Sequence, residues 1–205
     1  MAAYDGLNNC LIFDFETLSQ KPANGVVVSF AMINYSDQRF ISMPYEYDEL
    51  VEKAQFIKFN VADQVKSYNR KIEKSTLEWW DQQNEEAKKQ LKPSGTDRSI
   101  ADLYNFVVQN THIHNLKRVY TRRNTFDPIF MSSIMEATGN PEPYDWWLVR
   151  DTISFIDGLT IGSDDIRNNF IPDGLKDKFV AHDPRHDIAM DIMRMQTLIQ
   201  AVTAF

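Results

Sequence analysis

The chain has 205 residues, 43% of them hydrophobic and 12% aromatic, enough to bury one substantial core, and it reads most simply as a single domain over 1–205. A formal net charge of −7 argues against a protein that coats nucleic acid by neutralising phosphates across its surface. One cysteine, Cys10, excludes an internal disulfide, no apolar run approaches the roughly eighteen residues that span a bilayer, and the opening Met-Ala-Ala-Tyr-Asp-Gly has neither region of a signal peptide, so a cytoplasmic location with no membrane partner is expected.

The first predicted strand covers about 10–16. Alternation puts Leu11, Phe13 and Phe15 on one side of it and Ile12, Asp14 and Glu16 on the other, so two acids two residues apart share a face. On a covered strand such carboxylates are costly unless paired, protonated or bound to metal; a strand ending in a solvated loop is the plainer alternative. A hairpin partner follows at 26–33 and a third strand at 40–43, then a mainly irregular insert to about Lys74.

Short helices are expected from there to about Leu91, where Lys92-Pro93-Ser94-Gly95 breaks them. Ser75 with Glu78 reads as a capping box, which sets Trp79 and Trp80 in the first turns of a helix. Adjacent helical residues point about a hundred degrees apart, so the two indoles meet different surroundings. One can pack inward while the other stacks on a base; two core anchors explain them equally well. Ile100 to Val107 continues as a helix.

Strands near 118–121 and 147–150 then alternate with helices, giving an α/β sheet that joins an antiparallel start to parallel strands. Between them Asp127 precedes Pro128, a residue suited to a first helical turn, so Asp127 reads also as a helix N-cap. Asp151 reads as a structural cap at a strand end. The C-terminal helix carries the stripe Ile188, Ile192, Met195, Ile199 and Val202. Asp187 lies at the margin of that buried side, and His182 stands at or before the helix start, able to swing over a site that Asp187 faces. An overlapping pair, His186 and Asp191, lies deeper in the helix and is assigned to the surface or to a supporting role. Clusters at Lys66-Arg70-Lys71-Lys74 and Lys117-Arg118-Arg122-Arg123 offer a path for a strand, although solvated faces are their commoner meaning.

Four carboxylates able to meet at one point, with a histidine beside them, outline a metal-dependent phosphodiesterase. The ordered set Asp14-x-Glu16, Asp127 in Asn-x-Phe-Asp, and Ala181-His182 with Asp187 resembles the DEDDh branch of the DnaQ-like, ribonuclease-H-fold 3′-5′ exonucleases. Ser75-Thr76-Leu77-Glu78-Trp79-Trp80 with Gln83, Arg150-Asp151-Thr152 and Phe179-Val180-Ala181-His182-Asp183 extend the likeness to exonucleases of T-even bacteriophages, and the tryptophan block is also similar to exoribonucleases related to ribonuclease T. One departure is visible: many relatives carry glycine before the Phe-Asp, where this chain has Arg122, Arg123 and Thr125.

The resemblance implies a ribonuclease-H-like mixed sheet and two Mg²⁺ or Mn²⁺ ions. Asp14 would bridge the ions, Glu16 and Asp187 would hold the one binding the attacking water, Asp127 would support the second, and His182 would be the general base. It further implies stepwise release of nucleoside 5′-monophosphates from the 3′ end of a single strand, DNA favoured and RNA the alternative, with an inert binding module as a third possibility. Thr17 and Leu18 fall where relatives hold the terminal nucleotide, which a simple turn also explains; Arg122 and Arg123 are candidate phosphate contacts.

Overall fold

The computed structural model describes residues 9–161 and 167–204. Its elements run β1 (Cys10–Thr17), β2 (Val27–Tyr35), α1 (Arg39–Ser42), α2 (Tyr47–Lys53), β3 (Gln55–Lys58), α3 (Val61–Ser67), α4 (Lys74–Asp81), α5 (Glu85–Lys88), α6 (Leu103–Asn110), β4 (Arg118–Thr121), α7 (Asp127–Thr138), β5 (Val149–Asp151), α8 (Thr152–Leu159) and α9 (Pro184–Thr203). Five strands form one sheet in the order β3-β2-β1-β4-β5. β2 lies antiparallel between β1 and β3, whereas β4 and β5 continue parallel to β1. This is the mixed α/β sheet of the ribonuclease-H-like class.

As the middle strand, β1 is covered on both faces. Leu11, Phe13 and Phe15 pack with Leu103 and Val107 of α6 and with Phe130, Met131 and Ile134 of α7. Ile12 faces the opposite layer, against Ile188, Ile192 and Met195 of α9 and Ile156 of α8. Burying such side chains contributes about 1.5–3 kcal/mol each, which fixes the register of the strand and with it the direction of Asp14 and Glu16. A third cluster, Leu18, Val26, Val28, Trp80 and Ala87, closes over the end of β1.

β1 and β4 pair only from Cys10 to Ile12 against Arg118 to Tyr120. Beyond that point they diverge, and the backbone N–H of Phe15 donates instead to Asp127 Oδ1 at 3.1 Å. A crevice therefore opens at the carboxyl ends of parallel strands, where α/β sheets hold their ligands. Asp191 of α9 lies at its wall, 2% exposed, accepting from Arg122 Nη1 and Arg194 Nη1 at 2.7 Å each and from Thr152 Oγ1 at 2.8 Å.

Several expectations are corrected. The stretch 40–43 is not a strand: residues 40–42 belong to the short helix α1 and Met43 follows as its C-cap, with Phe40 alone turned inward and stacked on Tyr35. The insert holds α2, β3 and α3; β3 is short and only Ile57 on it is buried, too weak an alternation to read. Ser75 does not cap α4, which begins at Lys74 after Glu73. Glu73 instead accepts from Ser19 Oγ and Gln20 N and pairs with Lys21, tying the helix to the loop after β1. His186 and Asp191 do not pair: His186 Nδ1 meets the Tyr47 hydroxyl at 2.8 Å, and Asp191 is buried among arginines. Arg70 is 2% exposed, donating to Gly25 O and Ser133 Oγ, and so leaves the basic path expected of its cluster.

Asp191→Ala would strand the buried Arg194 guanidinium, and a loss of about 3 kcal/mol is expected. Urea unfolding monitored by tryptophan fluorescence measures it; an unchanged midpoint would show that the network carries no stability.

Candidate active site

Pleating sends Asp14 and Glu16 to the α9 side of the sheet, one turn of side chains beyond Ile12. Asp127 enters from the first turn of α7, with Phe126 rather than Asp127 in the capping position, and its carboxylate is oriented by the Phe15 N–H. Asp187 enters from the first turn of α9, started by Asp183 as N-cap and Pro184. Its Oδ2 accepts the backbone N–H of His182 at 2.9 Å. Asp14, Glu16, Asp127, Asp187 and His182 all line one cleft of about 560 Å³. Within it, ligand atoms of Glu16, His182 and Asp187 lie within 4.8 Å of one another.

The electrostatics of this group are unfavourable. Burial pushes the Asp14 carboxyl well above the ordinary range, and the charges of Asp127, Glu16, Asp187 and Asp191 push it further. Glu16 is raised in the same way, by burial and then by Asp187 and Asp127. Burial lifts Asp127 to about 8, although the Phe15 N–H pulls it back, and lifts Asp187 to about 7 against the His182 N–H. Desolvated, mutually repelling oxygens with few protein cations among them are the donor set that hard divalent ions relieve. The residues therefore fit a metal site, with Asp14, Glu16, Asp127 and Asp187 the oxygens that would hold it.

His182 is half-buried, and burial lowers its pKa, favouring the neutral ring. The ring sits edge-on to Trp79, centroids 4.7 Å apart and planes 80° apart. Trp79 is 38% exposed and lines the cleft. Trp80, 1% exposed, donates from Nε1 to the Thr17 carbonyl at 2.9 Å, so a stacking contact with a nucleotide is closed to it. Leu18 is buried against Trp80 in the third cluster rather than pointing into the cleft, while Thr17 borders the cleft and donates its hydroxyl to Ser19 O. Arg122 lines the cleft but is engaged by Asp191 and Asn168. Arg123, exposed at the rim with φ +72°, donates its N–H to Asp151, which also caps α8 as expected.

Asp191 was not assigned to the cleft from sequence, yet it lines it. The signal was its spacing of four from Asp187, one turn along the same helix face.

A family model described as the 3′-5′ exoribonuclease Rv2179c-like domain matches residues 9–188. The chain belongs to this family. An exodeoxyribonuclease of Enterobacteria phage T4 is 31% identical over 202 residues, 90% of this chain and 86% of that protein. Among solved structures, exonuclease I is similar over 95% of this chain at 16% identity with a TM-score of 0.54. E. coli exonuclease I in complex with a 5cy-dT13 oligonucleotide gives 14% and 0.58 over the same share. The chain spans 43% and 41% of the length of those two chains, and at such identities the likeness establishes the fold alone. Family membership and phage relative together make this a DnaQ-like 3′-5′ exonuclease acting on nucleic acid.

For this exonuclease the raised carboxyls fix the sign of a pH effect. The folded, metal-free protein binds more protons than the unfolded chain between the usual carboxylate range and about 8, so its stability falls as pH rises through that window. Melting in chelator should give a lower Tm at about pH 8 than at about pH 6, with added Mn²⁺ raising Tm more at the higher pH. Equal Mn²⁺ shifts at the two values would contradict this.

Proposed function

We propose that this cleft hydrolyses the terminal phosphodiester at the 3′ end of single-stranded DNA, releasing nucleoside 5′-monophosphates, with two Mg²⁺ or Mn²⁺ ions held by Asp14, Glu16, Asp127 and Asp187. The observation that carries the reading is the meeting of four carboxylates from β1, α7 and α9 with one histidine in a single crevice. The bound ions supply Lewis acidity, lowering the pKa of an attacking water and offsetting charge on the phosphate.

The chain's own groups do the rest. His182, kept neutral by burial, takes the proton of the attacking water at a ring nitrogen near Glu16 and Asp187. Asp127, held by the Phe15 N–H, keeps one oxygen directed and the other available. The exposed part of the Trp79 indole stacks on a base, a contact worth about 1–3 kcal/mol. Thr17 borders the terminal nucleotide, and Leu18 and Trp80 support the Thr17 backbone from behind. Arg123 at the rim meets a phosphate; Arg122, anchored by Asp191, holds a fixed positive charge beside it. Ions held by these carboxylates would offset the local negative charge and let an acidic chain accept a polyanion here.

DNA is supported by the similarity to the phage T4 exodeoxyribonuclease. The description of the matched family as exoribonuclease favours RNA as a second reading. The single cysteine, Cys10, is compatible with a reducing compartment.

Matched 5′-labelled DNA and RNA oligonucleotides with Mg²⁺ or Mn²⁺ test the proposal. A stepwise ladder on DNA is expected, and digestion of RNA alone would reverse the substrate. Asp14→Ala should abolish the ladder, and His182→Ala should slow it on the order of 10²–10⁴-fold. Digestion by Asp14→Ala at the parent rate would remove the metal assignment.

A further inference from the structure

His182 has φ +66°, a left-handed conformation that a residue with a Cβ keeps only when its surroundings enforce it. Both its peptide groups are held. The N–H donates to Asp187 Oδ2 at 2.9 Å, and the carbonyl accepts from Gln90 Nε2. The other end of the Gln90 amide, Oε1, accepts from Ser29 Oγ at 2.5 Å. Ser29 is fully buried on β2, directly across from Glu16 of β1. Gln90 itself sits in a single 3-10 turn, Lys89–Leu91, following α5. It is not among the residues lining the cleft.

The hydrogen bond at the N–H alone leaves the peptide after His182 free to rotate, and relief of the left-handed strain would drive that rotation. Pinning the carbonyl as well fixes both torsions about the His182 Cα, and so the direction in which Cβ and the ring leave the backbone. The pin is referenced to the strand opposite Glu16, so ring and metal-facing carboxylate share one frame.

We propose that Gln90 is a positioning residue for the general base: through Ser29 on one side and the His182 carbonyl on the other, it holds His182 at the attacking water, and this rests on the exonuclease reading above. Gln90 touches neither substrate nor ions and acts only through His182.

Gln90→Met keeps the length of the side chain and removes both hydrogen bonds. With a 5′-labelled single-stranded oligonucleotide and Mn²⁺, it should lower kcat on the order of 10²-fold with KM little changed, since small displacements of a catalytic group cost about that much. The double variant Gln90→Met/His182→Ala should be no slower than His182→Ala alone, because residues acting as one unit are not additive. A parental kcat in Gln90→Met, or a further full loss in the double variant, overturns the proposal. Hydrogen exchange reads the same contact without turnover: amides at 181–183 should exchange about tenfold faster in Gln90→Met while the middle of β1 is unchanged. Unchanged exchange at 181–183 overturns it too. If the parent cuts no oligonucleotide, the exonuclease reading falls by that result, and exchange still decides whether Gln90 holds His182.

Discussion

Four carboxyl groups meet in one crevice, and the rest of the molecule is arranged around the cost of their desolvation and mutual repulsion. The crevice exists because β1 and β4 separate after Ile12, which frees the Phe15 N–H to orient Asp127. Apolar side chains alternate with the acids along β1, so the packing that stabilises the strand also fixes the acids in place. The fold thus supplies its own repulsion in a fixed geometry, ready for cations to relieve.

A comparison within α9 shows that the repulsion is selective. Asp191, one turn from Asp187, is neutralised inside the protein by Arg122 and Arg194 and by the Thr152 hydroxyl. Among the described residues Asp187 receives only a backbone N–H as direct hydrogen-bond donor, and Asp127 takes the N–H of Phe15. A protein able to bring two guanidinium groups to one buried carboxylate leaves its neighbours without such partners. That asymmetry distinguishes the acids proposed to hold ions from the structural Asp191.

Much of the site was legible in the chain because it depends on local periodicities. Alternation along Leu11–Glu16 placed the acids on the correct face, and the α9 stripe packs inward from Ile188 to Ile199, whereas Val202 at the helix end is 48% exposed. The tryptophan pair divided as helical geometry requires, one inside and one at the rim. What could not be read depends on contacts between distant segments. Trp80 is committed by the Thr17 carbonyl, Arg122 by Asp191, and Arg70 by Gly25 and Ser133, and none of these partners is near in sequence. β3 escaped because an edge strand of four residues needs only Ile57 on the core. The start of α4 was misplaced because Glu73 is recruited by the loop after β1 rather than by its own helix.

The central claim is that the convergent oxygens of Asp14, Glu16, Asp127 and Asp187 are where cations bind. Crystals grown with Mn²⁺ and measured for its anomalous scattering address it directly. The account predicts anomalous peaks within bonding distance of these four carboxylates; a crystal saturated with Mn²⁺ whose peaks lie only on remote surfaces would contradict it.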